Sequence, residues 1–394
     1  MLAGTVQSLI YYGLMLISAE WFYAAACLVC GIAAMSIGSS WTVAGTLGVA
    51  FMGMAMAMQL DPAIAAGAVI SGAYFGDKLS PLSDTTNLAS AVSGTPLFLH
   101  IQNLLWTTVP SFVLALILFF FMGGESTLAS AQSITETMQG LEANFNIGLY
   151  LLIPVVFVFV MAWMKIPALP TIFAGALVGG LFAVLFQPEA VIRFAASAGF
   201  SDGLSTVEQN LLAVWKVLFD GYSSNTGHEA LDSLLSRGGM SSMLNTVWLI
   251  LCAMAFGSVM EQVGLLSRIL ESILSSVEST TGLIVTTVFT CIGANVMTAD
   301  QYIAIVLPGR MYKLEYAKRG LAPQNLSRTL EDSATMTSPL IPWNTCGAYM
   351  AGTLGVATLS YLPYAFFNLF GPILCIAFAV THFRIIPLAE TKAA

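Results

Sequence analysis

Long apolar runs set the strongest constraint on what this chain can fold into. Five stretches approach or reach the ~20 predominantly apolar residues that an α-helix needs to cross a bilayer. They are residues 104–123, 147–164, 169–186, 243–260 and 361–380. Only 9% of the 394 residues are charged, whereas a soluble domain carries roughly 25% charged residues. The sequence therefore predicts an all-α polytopic membrane protein.

Polar residues interrupt the apolar sequence at paired positions. At a constant offset of 258 residues, LSPLSDTTNLASAVSGT (79–95) aligns with TSPLIPWNTCGAYMAGT (337–353). The same offset aligns GSSWTVAG (38–45) with VMTADQYI (296–303). Interrupted hydrophobic segments at corresponding positions of two halves are the best sequence indication of a transporter's binding site.

These pairs predict two inverted-topology repeats, each with a re-entrant hairpin, a broken transmembrane helix and a following long helix. The first repeat spans 1–121, with hairpin 21–58, broken helix 62–93 and long helix 97–121. The second spans 146–394, with hairpin 280–312, broken helix 322–356 and long helix 360–382. Residues 122–145 are predicted to link the repeats.

The distribution of positive charge predicts the orientation of the chain. Linker 122–145 carries Glu125, Glu136 and Glu142 but no basic residue, and in loop 187–242 the acidic residues outnumber the basic ones. Both are therefore predicted to be extracytoplasmic. The loop 310–328 is the most basic in the chain, and the positive-inside rule places it, with the C-terminus, in the cytoplasm.

The repeat also predicts a missing part. The second-half spans 146–163, 168–186 and 243–262 have no first-half partners at this offset. Residues 6–16 instead match the connector 265–275, which follows those spans. We therefore expect the chain to lack the amino-terminal helices that would complete the first repeat.

The interruptions bring together the oxygen-bearing groups that a small cation needs. A charged side chain in a lipid-facing helix costs at least ~2.5–3.5 kcal/mol, so such residues usually face a cavity and mark an ion path. Pro81 ends a helix and frees backbone carbonyls for other partners. Carbonyl, hydroxyl, amide and carboxylate oxygens form the hard ligand set that suits Na⁺ and no transition metal.

Three groups of residues are the candidates for this ion site. The first break contributes Asp77, Ser80, Ser83, Asp84, Thr85, Thr86 and Asn87. The second break contributes Asp332, Ser333, Thr337, Ser338, Asn344 and Thr345. The hairpin tips contribute Ser39, Ser40, Thr42, Asn295, Thr298 and Asp300.

Several of these polar residues also have plainer interpretations. Asp84 could N-cap a half-helix that starts at Thr85, and Asp77 could form an ion pair with Lys78. The other plain interpretations are a helix cap for Asp300, a solvated position at the membrane edge for Glu331, and a position in or beside a loop for His100. The recurrence of polar interruptions in both halves is harder to explain by capping alone.

The two long motifs resemble a known family. SGAYFGDKLSPLSDTTNLAS and EDSATMTSPLIPWNTCGAYMAGTLGV resemble the signature segments of NhaC-type sodium/proton antiporters, and GSSWTVAGTLGVA and FGSVMEQVGLL extend the resemblance. It runs from about Ile10 to about Val380. The resemblance implies a prokaryotic secondary transporter of the cytoplasmic (inner) membrane, in the wider ion-transporter fold, that exchanges Na⁺ for H⁺. Some relatives exchange small carboxylates such as malate and lactate.

The predicted function is Na⁺/H⁺ antiport by alternating access, in which Na⁺ and protons compete for Asp77, Asp84 and Asp332. The alternative is a Na⁺- or H⁺-coupled small-carboxylate exchanger whose half-helix N-termini bind the anion. No arginine lies at either break, which favours the cation, but Lys78 leaves the question open. A passive channel is a more distant alternative, because inverted repeats with broken helices favour alternating access. A membrane enzyme is also a more distant alternative, because no H-E-x-x-H or G-x-S-x-G motif occurs. We expect no cofactor besides the transported ions and no nucleic-acid partner; a homodimer is compatible with the sequence.

Overall fold

The computed structural model describes residues 1–123, 128–164, 166–200, 204–225, 235–264 and 279–388, together with Asp232 and Arg268. Glu125 and, apart from Arg268, the connector 265–275 lie outside this described part. Within it, six helices are long and apolar enough to cross a membrane, or up to eight spans if each of two bent helix pairs counts as one. The prediction of an all-α polytopic membrane protein is confirmed.

The helices follow one another along the chain with short connections. The first part contains α1 (Thr5–Leu16), α2 (Phe22–Ile37), α3 (Ser40–Val43), α4 (Val49–Ala57), α5 (Pro62–Leu79), α6 (Asp84–Ser93) and α7 (Leu97–Phe121). The middle part contains α8 (Leu128–Asn144), α9 (Ile153–Trp163), α10 (Ala168–Phe186), α11 (Pro188–Ser197), α12 (Thr206–Asp220) and α13 (Leu244–Gln262). The last part contains α14 (Thr280–Thr298), α15 (Gln301–Lys318), α16 (Pro323–Leu330), α17 (Thr345–Leu354), α18 (Thr358–Tyr361) and α19 (Phe366–Thr381).

Other regular elements are short. Two π-helical segments, Ala44–Gly48 and Glu331–Thr335, continue α3 and α16. The 3₁₀ turns are Ala19–Trp21, Leu149–Leu152, Met240–Met243, Ser338–Leu340 and Leu362–Tyr364. Strands β1 (Gly221–Tyr222) and β2 (Arg237–Gly238) pair antiparallel.

Three segments that were predicted as loops contain helices. Linker 122–145 is largely α8, and loop 187–242 contains α11, α12 and the small hairpin. In the basic segment, α15 continues to Lys318 and α16 begins at Pro323, so only residues 319–322 connect them. Helices α8, α11 and α12 were not predicted because none of them is a long apolar run, whereas α15 and α16 lie largely within the predicted hairpin 280–312 and broken helix 322–356.

The predicted long helix 360–382 is bent. Segments Thr358–Tyr364 and Phe366–Thr381 meet at an angle of 59°. Pro363 lies just before the bend and lacks the N–H that a continuous helix would use.

Helix boundaries in the first part of the chain recur in its last part, 261 residues later. Helices α2 and α14 end at Ile37 and Thr298, and the next helices begin at Ser40 and Gln301. The broken helices begin at the paired prolines 62 and 323. Half-helices α6 and α17 run over 84–93 and 345–354, again 261 residues apart at both ends.

This separation corrects the predicted offset of 258 by three residues. The sequence match aligned Pro81 with Pro339, because both follow a serine and precede a leucine. The helix boundaries instead place Pro81 at the position of Pro342. The matched prolines stand at different positions before their half-helices: α6 starts three residues after Pro81, whereas α17 starts six residues after Pro339.

The chain divides into two compact units. The first comprises Met1–Phe22, Thr46–Ala65 and Gly123–Asn245. Within it, α1 packs on α4, α9 on α10, and α11 on α12. The buried Gln187 side chain accepts from the Asn146 N–H at 3.0 Å and donates to its carbonyl at 2.7 Å, which fixes the start of the chain segment leading to α9.

The second unit comprises Tyr23–Gly45, Ala66–Met122 and Thr246–Ala394, and it contains every predicted site residue. Its core includes Leu283, Val288, Ile305 and Tyr312, all almost fully buried. Helix α6 packs on α15 and α16, while α7 packs on α19. The half-helices are therefore held by apolar contacts on several sides.

Two glycines bring α2 and α5 close together in this unit. A Cβ atom added to Gly72 would collide with the carbonyl oxygen of Cys27, and one added to Gly76 would collide with that of Gly31. Small residues four positions apart permit this kind of close backbone approach between helices in a membrane. The contact positions the end of α5, where the first break begins.

Candidate functional site

The first break is a short non-helical segment, residues 80–83, between α5 and α6. The Asn87 amide donates to the carbonyls of Pro81 (3.0 Å) and Ser83 (2.6 Å). The Thr86 hydroxyl donates to the carbonyl of Lys78 at 3.0 Å. Thr86 and Asn87 thus bind backbone groups that the break frees, which stabilises the interruption itself.

Asp77, in the last turn of α5, is the buried carboxylate of this break. Its Oδ2 accepts two hydrogen bonds from Ser40, one from the backbone N–H (3.0 Å) and one from the hydroxyl (2.7 Å). Its Oδ1 makes no hydrogen bond of normal geometry within the described part of the chain, although the Ser83 hydroxyl lies near the Asp77 carboxylate, and the residue is only 5% exposed. Leaving a buried acceptor without a partner costs about 1–3 kcal/mol, and more for a charged group.

The segment predicted as the first hairpin tip lies directly against the break. Gly38 has a φ of 74°, and a Cβ atom there would lie 2.7 Å from the Leu82 carbonyl carbon and 2.9 Å from the Ser83 nitrogen. Ser39 caps α3 by accepting from the Thr42 N–H at 3.2 Å. Ser40, from the same segment, contacts the Asp77 carboxylate of the break.

Asp84 begins α6 and is exposed. The N-cap of α6 is Ser83, whose hydroxyl accepts from the Thr86 N–H at 3.4 Å, so the interpretation of Asp84 as the cap of a helix starting at Thr85 is wrong. Asp84 Oδ1 accepts from the Thr85 N–H (2.8 Å), and Oδ2 accepts from the Tyr302 hydroxyl (2.5 Å). Asp84 also lies near enough to Asp77 to repel it electrostatically.

The remaining polar side chains of the first break point toward one another. The Ser83 and Thr85 hydroxyl oxygens lie 3.1 Å apart, and both residues are buried. The Ser80 hydroxyl accepts from the Leu82 N–H at 3.3 Å. Hydroxyl oxygens and carboxylates are thus concentrated at one interruption.

Lys78 does not pair with its neighbour Asp77; it forms an ion pair with Asp332 of the second break. Both side chains are completely buried. The Thr107 hydroxyl donates to the same oxygen of Asp332 at 3.0 Å, and the Lys78 Nζ lies 5.8 Å from the centroid of the Phe367 ring. The positively charged side chain of Lys78 therefore already neutralises Asp332.

The second hairpin tip is joined to the second break by amides. Asn295 donates to the Ala334 carbonyl (2.6 Å) and to the Thr337 hydroxyl (3.0 Å). Asn344, the N-cap of α17, donates to the Asn295 carbonyl at 3.2 Å and to its side-chain oxygen at 3.1 Å. The Thr345 N–H donates to the Ala299 carbonyl at 2.9 Å.

The other second-half candidates mainly satisfy backbone groups. The hydroxyls of Ser333, Thr337 and Thr298 each donate to a carbonyl one turn earlier. Ser338 donates to the Gln301 side chain at 2.5 Å. Asp300 caps α15 by accepting from the Ile303 N–H at 2.9 Å, which confirms the capping interpretation.

One aromatic residue from each predicted hairpin contacts the half-helix that belongs to the opposite half of the chain. Neither residue was predicted from the sequence. Tyr302, from the second hairpin, contacts Asp84 of α6. Trp41, from the first predicted hairpin, stacks on Tyr349 of α17 with ring centroids 4.1 Å apart. The Tyr349 hydroxyl also donates to the backbone carbonyl of Trp41 at 3.1 Å. Trp41 and Tyr302 are 261 residues apart and both follow a helix cap, a signal that the corrected offset would have revealed.

Three predictions about charged or titratable residues near the second broken helix are wrong. Glu331 is completely buried rather than solvated. His100 is buried within α7, with its Nδ1 at 2.8 Å from the Ser327 hydroxyl, rather than beside a loop. Arg328, counted among the cytoplasmic loop charges, is buried in α16 and donates to Asn103 (3.2 Å) and to the Arg384 carbonyl (3.1 Å). Other helices cover α16, so the polarity of its sequence does not indicate exposure.

The comparison with known proteins identifies the family. The model of the Na⁺/H⁺ antiporter family matches residues 72–383, which contain both breaks. The chain belongs to the Na⁺/H⁺ antiporter family. Among its relatives is the Na(+)/H(+) antiporter NhaC of Alkalihalophilus pseudofirmus, 41% identical over 379 residues, which cover 96% of this chain and 78% of the relative.

Two relatives from Bacillus subtilis show the range of this antiporter family. Na(+)/H(+) antiporter NhaC is 34% identical over 378 residues, covering 95% of this chain and 79% of the relative. Malate-2H(+)/Na(+)-lactate antiporter is 34% identical over 365 residues, covering 92% of this chain and 73% of the relative. The resemblance to NhaC-type antiporters is confirmed, and these relatives are named as transporters rather than enzymes.

Proposed function

We propose that this chain is a secondary active transporter that exchanges Na⁺ for H⁺ by alternating access. The observation that carries the proposal is the Asp77 carboxylate. One of its oxygens is held by Ser40, while the other is buried beside the first break with no hydrogen-bond partner in the described chain. A cation bound at that oxygen would supply the missing interaction.

The surroundings of Asp77 suit a small hard cation. Asp84 adds a second negative charge nearby, and two carboxylates in one site favour an intervening positive charge. Ser80, Ser83 and Thr85 supply neutral oxygens of the type that replaces water around Na⁺. Na⁺ binding at these carboxylates would oppose proton binding by the protein, and this opposition couples the movements of the two ions in opposite directions.

The second break contributes structure more than charge. Asp332 is neutralised by Lys78, while Asn344 and Thr337 are bonded to the tip at Asn295. We therefore assign Na⁺ binding chiefly to the first break. The second break would hold the second hairpin tip in place. Its contacts with that tip would change when the two halves of the protein rearrange.

Inverted-topology repeats with re-entrant hairpins are part of this proposal. The recurrence of helix boundaries at 261 residues supports an internal repeat, and inversion follows from the charge distribution even after Arg328 is removed from the count. The loop after Lys318 and the C-terminus would then lie in the cytoplasm of the host cell.

Cysteine labelling of intact cells tests this orientation. On a background with the native cysteines replaced, an impermeant thiol reagent should modify Ser223→Cys and should spare Lys318→Cys. The opposite pattern would contradict the inverted topology while leaving the ion-site assignment to its own test.

The small-carboxylate exchanger stays as the rival, because one relative is named a malate/lactate antiporter. That rival needs a positive group for the anion. Lys78 cannot serve while it is completely buried in an ion pair with Asp332, so the structure provides more for a cation than for an anion at the breaks. Transport assays with and without malate or lactate distinguish the two substrates, and the mass of the purified protein in detergent tests whether the chain forms a homodimer.

The decisive variant is Asp77→Asn, which keeps the side-chain size and removes the charge. In proteoliposomes containing the full chain, a Na⁺ gradient should drive proton movement in the parent, and Asp77→Asn should abolish it. Asp61→Asn is the matched control, because Asp61 is an exposed aspartate whose Oδ1 accepts from the Ala63 N–H and can be replaced by an amide oxygen. Parent-like antiport by Asp77→Asn would contradict the proposal.

A further inference from the structure

Glu331 is a buried carboxyl group that the Na⁺ site does not use. It is completely inaccessible to solvent, and neither of its oxygens makes a hydrogen bond within the described part of the chain. The Thr335 hydroxyl lies near it, but no hydrogen bond of normal geometry joins the two groups. Such a group contributes nothing evident to folding, which raises the question of why it is there.

No cation of its own neutralises Glu331 among the residues that the structure describes. The π-helical segment that begins at Glu331 packs against α6, α14, α15, α16 and α19. The charged groups that act on Glu331 are Lys78, Asp77 and Asp332. Lys78 is already paired with Asp332, and the two aspartates oppose its attraction for a third negative charge.

This environment favours the neutral form of the carboxyl group. Burying an ionised carboxylate without a partner costs several kcal/mol even after the protein relaxes, and the group takes up a proton instead. A neutral carboxyl can lose that proton only when water or a new positive charge reaches it. Glu331 is therefore suited to carrying a proton between two states of the protein.

The local backbone also distinguishes this position. Glu331 and Asp332 lie in a π-helical segment directly before the second break, and π-bulges in helices occur frequently at functional sites. Replacing buried ionised groups with apolar side chains of similar volume is often neutral or stabilising. A structural role therefore does not explain why a glutamate occupies this position.

We propose that Glu331 is the proton-binding site of the transport cycle, separate from the Na⁺ site at Asp77. This inference rests on the proposed antiport and names where its proton is carried. Asp77 and Glu331 repel each other electrostatically. When Na⁺ leaves Asp77, the uncovered negative charge holds the proton on Glu331; when Na⁺ binds Asp77, that charge is neutralised and the proton is released more easily.

The test compares two kinds of exchange in proteoliposomes that contain the full chain. Na⁺-driven proton movement is followed with a pH-sensitive dye, and exchange of radioactive for unlabelled Na⁺ is followed in the absence of a pH gradient. Glu331→Gln should lose proton movement and keep Na⁺–Na⁺ exchange, and its Na⁺ affinity should no longer vary with pH between neutral and mildly alkaline conditions. Glu315→Gln is the control, because Glu315 makes a surface ion pair with Lys318 far along α15 from the breaks.

Each outcome decides the inference. Parent-like proton movement by Glu331→Gln overturns it, as does the loss of both exchanges in a variant that is correctly folded. Loss of both exchanges in Asp77→Asn, beside loss of proton movement alone in Glu331→Gln, supports two separate sites. If the parent itself moves no protons in response to Na⁺, the proposed antiport fails and this inference fails with it.

A second variant protects the test against misfolding of Glu331→Gln, whose amide would also be buried. Glu331→Met fills the same space without polar atoms, and it should raise the thermal unfolding temperature while abolishing Na⁺-driven proton movement. A lower unfolding temperature for both variants would show that Glu331 is a structural residue, which overturns the inference.

Discussion

The buried ion pair between Lys78 and Asp332 links the two breaks, and removing one partner should have a large effect. Lys78→Met keeps most of the apolar stem and deletes the charge. Asp332 would then be left as a completely buried carboxylate whose Oδ2 already has no partner in the described chain, with the Thr107 hydroxyl as its hydrogen-bond donor at 3.0 Å. Breaking a buried pair in this way costs about 3–5 kcal/mol.

The free energy of unfolding of the purified protein, measured by titration with a denaturing detergent, gives the magnitude. Lys78→Met should lose about 3–5 kcal/mol, and the double variant Lys78→Met/Asp332→Leu should recover most of that loss, because replacing both charges with apolar groups of similar volume is often neutral or stabilising.

The control for this prediction is the surface pair between Lys216 and Asp220, whose side chains are 36% and 44% exposed. Lys216→Met should change stability by no more than ~1 kcal/mol, the upper range for exposed pairs. If Lys78→Met costs no more than this control, or if the double variant is as unstable as the sum of the two single variants, the pair is not the dry, mutually dependent contact that the structure shows.

Three further variants test the first break. Gly38→Ala should destabilise the protein by more than ~1–2 kcal/mol, because a non-glycine residue pays that cost for a left-handed backbone and its Cβ would lie 2.7 Å from the Leu82 carbonyl carbon; an unchanged unfolding temperature would argue against contact between the tip and the break. Ser83→Ala should cost about 1 kcal/mol of stability through the lost helix cap and should weaken the apparent Na⁺ affinity in transport, whereas an unchanged affinity would exclude Ser83 as a ligand. Tyr302→Phe removes the hydroxyl that donates to Asp84, so it should slow Na⁺-driven proton movement with little change in the unfolding temperature, and a parent-like rate would leave that hydrogen bond without a transport role.

The location of the breaks could be predicted from the sequence because it depends on local chemistry. Pro81 cannot continue a helix, and a polar residue before a new run of helix formers favours a cap there. The structure places the caps at Ser83, one residue before the predicted Asp84, and at Asn344, which was predicted as an ion ligand. The predicted offset of the repeat was wrong by three residues because Ser-Pro-Leu occurs both at 80–82 and at 338–340. The helix boundaries, which give the correct offset, cannot be read from the sequence.

The partners of the charges could not be predicted in the same way. Asp77 and Lys78 are neighbours in α5, and neighbouring side chains on a helix point in different directions. Asp77 therefore binds Ser40, while Lys78 binds Asp332, 254 residues away. Glu331 illustrates the same limit, since its burial depends on helices distant in sequence, α6, α14, α15 and α19, which pack against its segment.

Direct binding of Na⁺ to the purified full chain tests the central claim most simply. Equilibrium binding of radioactive Na⁺ in weakly buffered detergent solution, with a pH electrode recording released protons, measures both ions in one experiment. The account predicts that the parent binds Na⁺ and releases protons as it does so, and that Asp77→Asn binds no Na⁺ and releases none. Undiminished Na⁺ binding by Asp77→Asn, or Na⁺ binding by the parent without any release of protons, would contradict it.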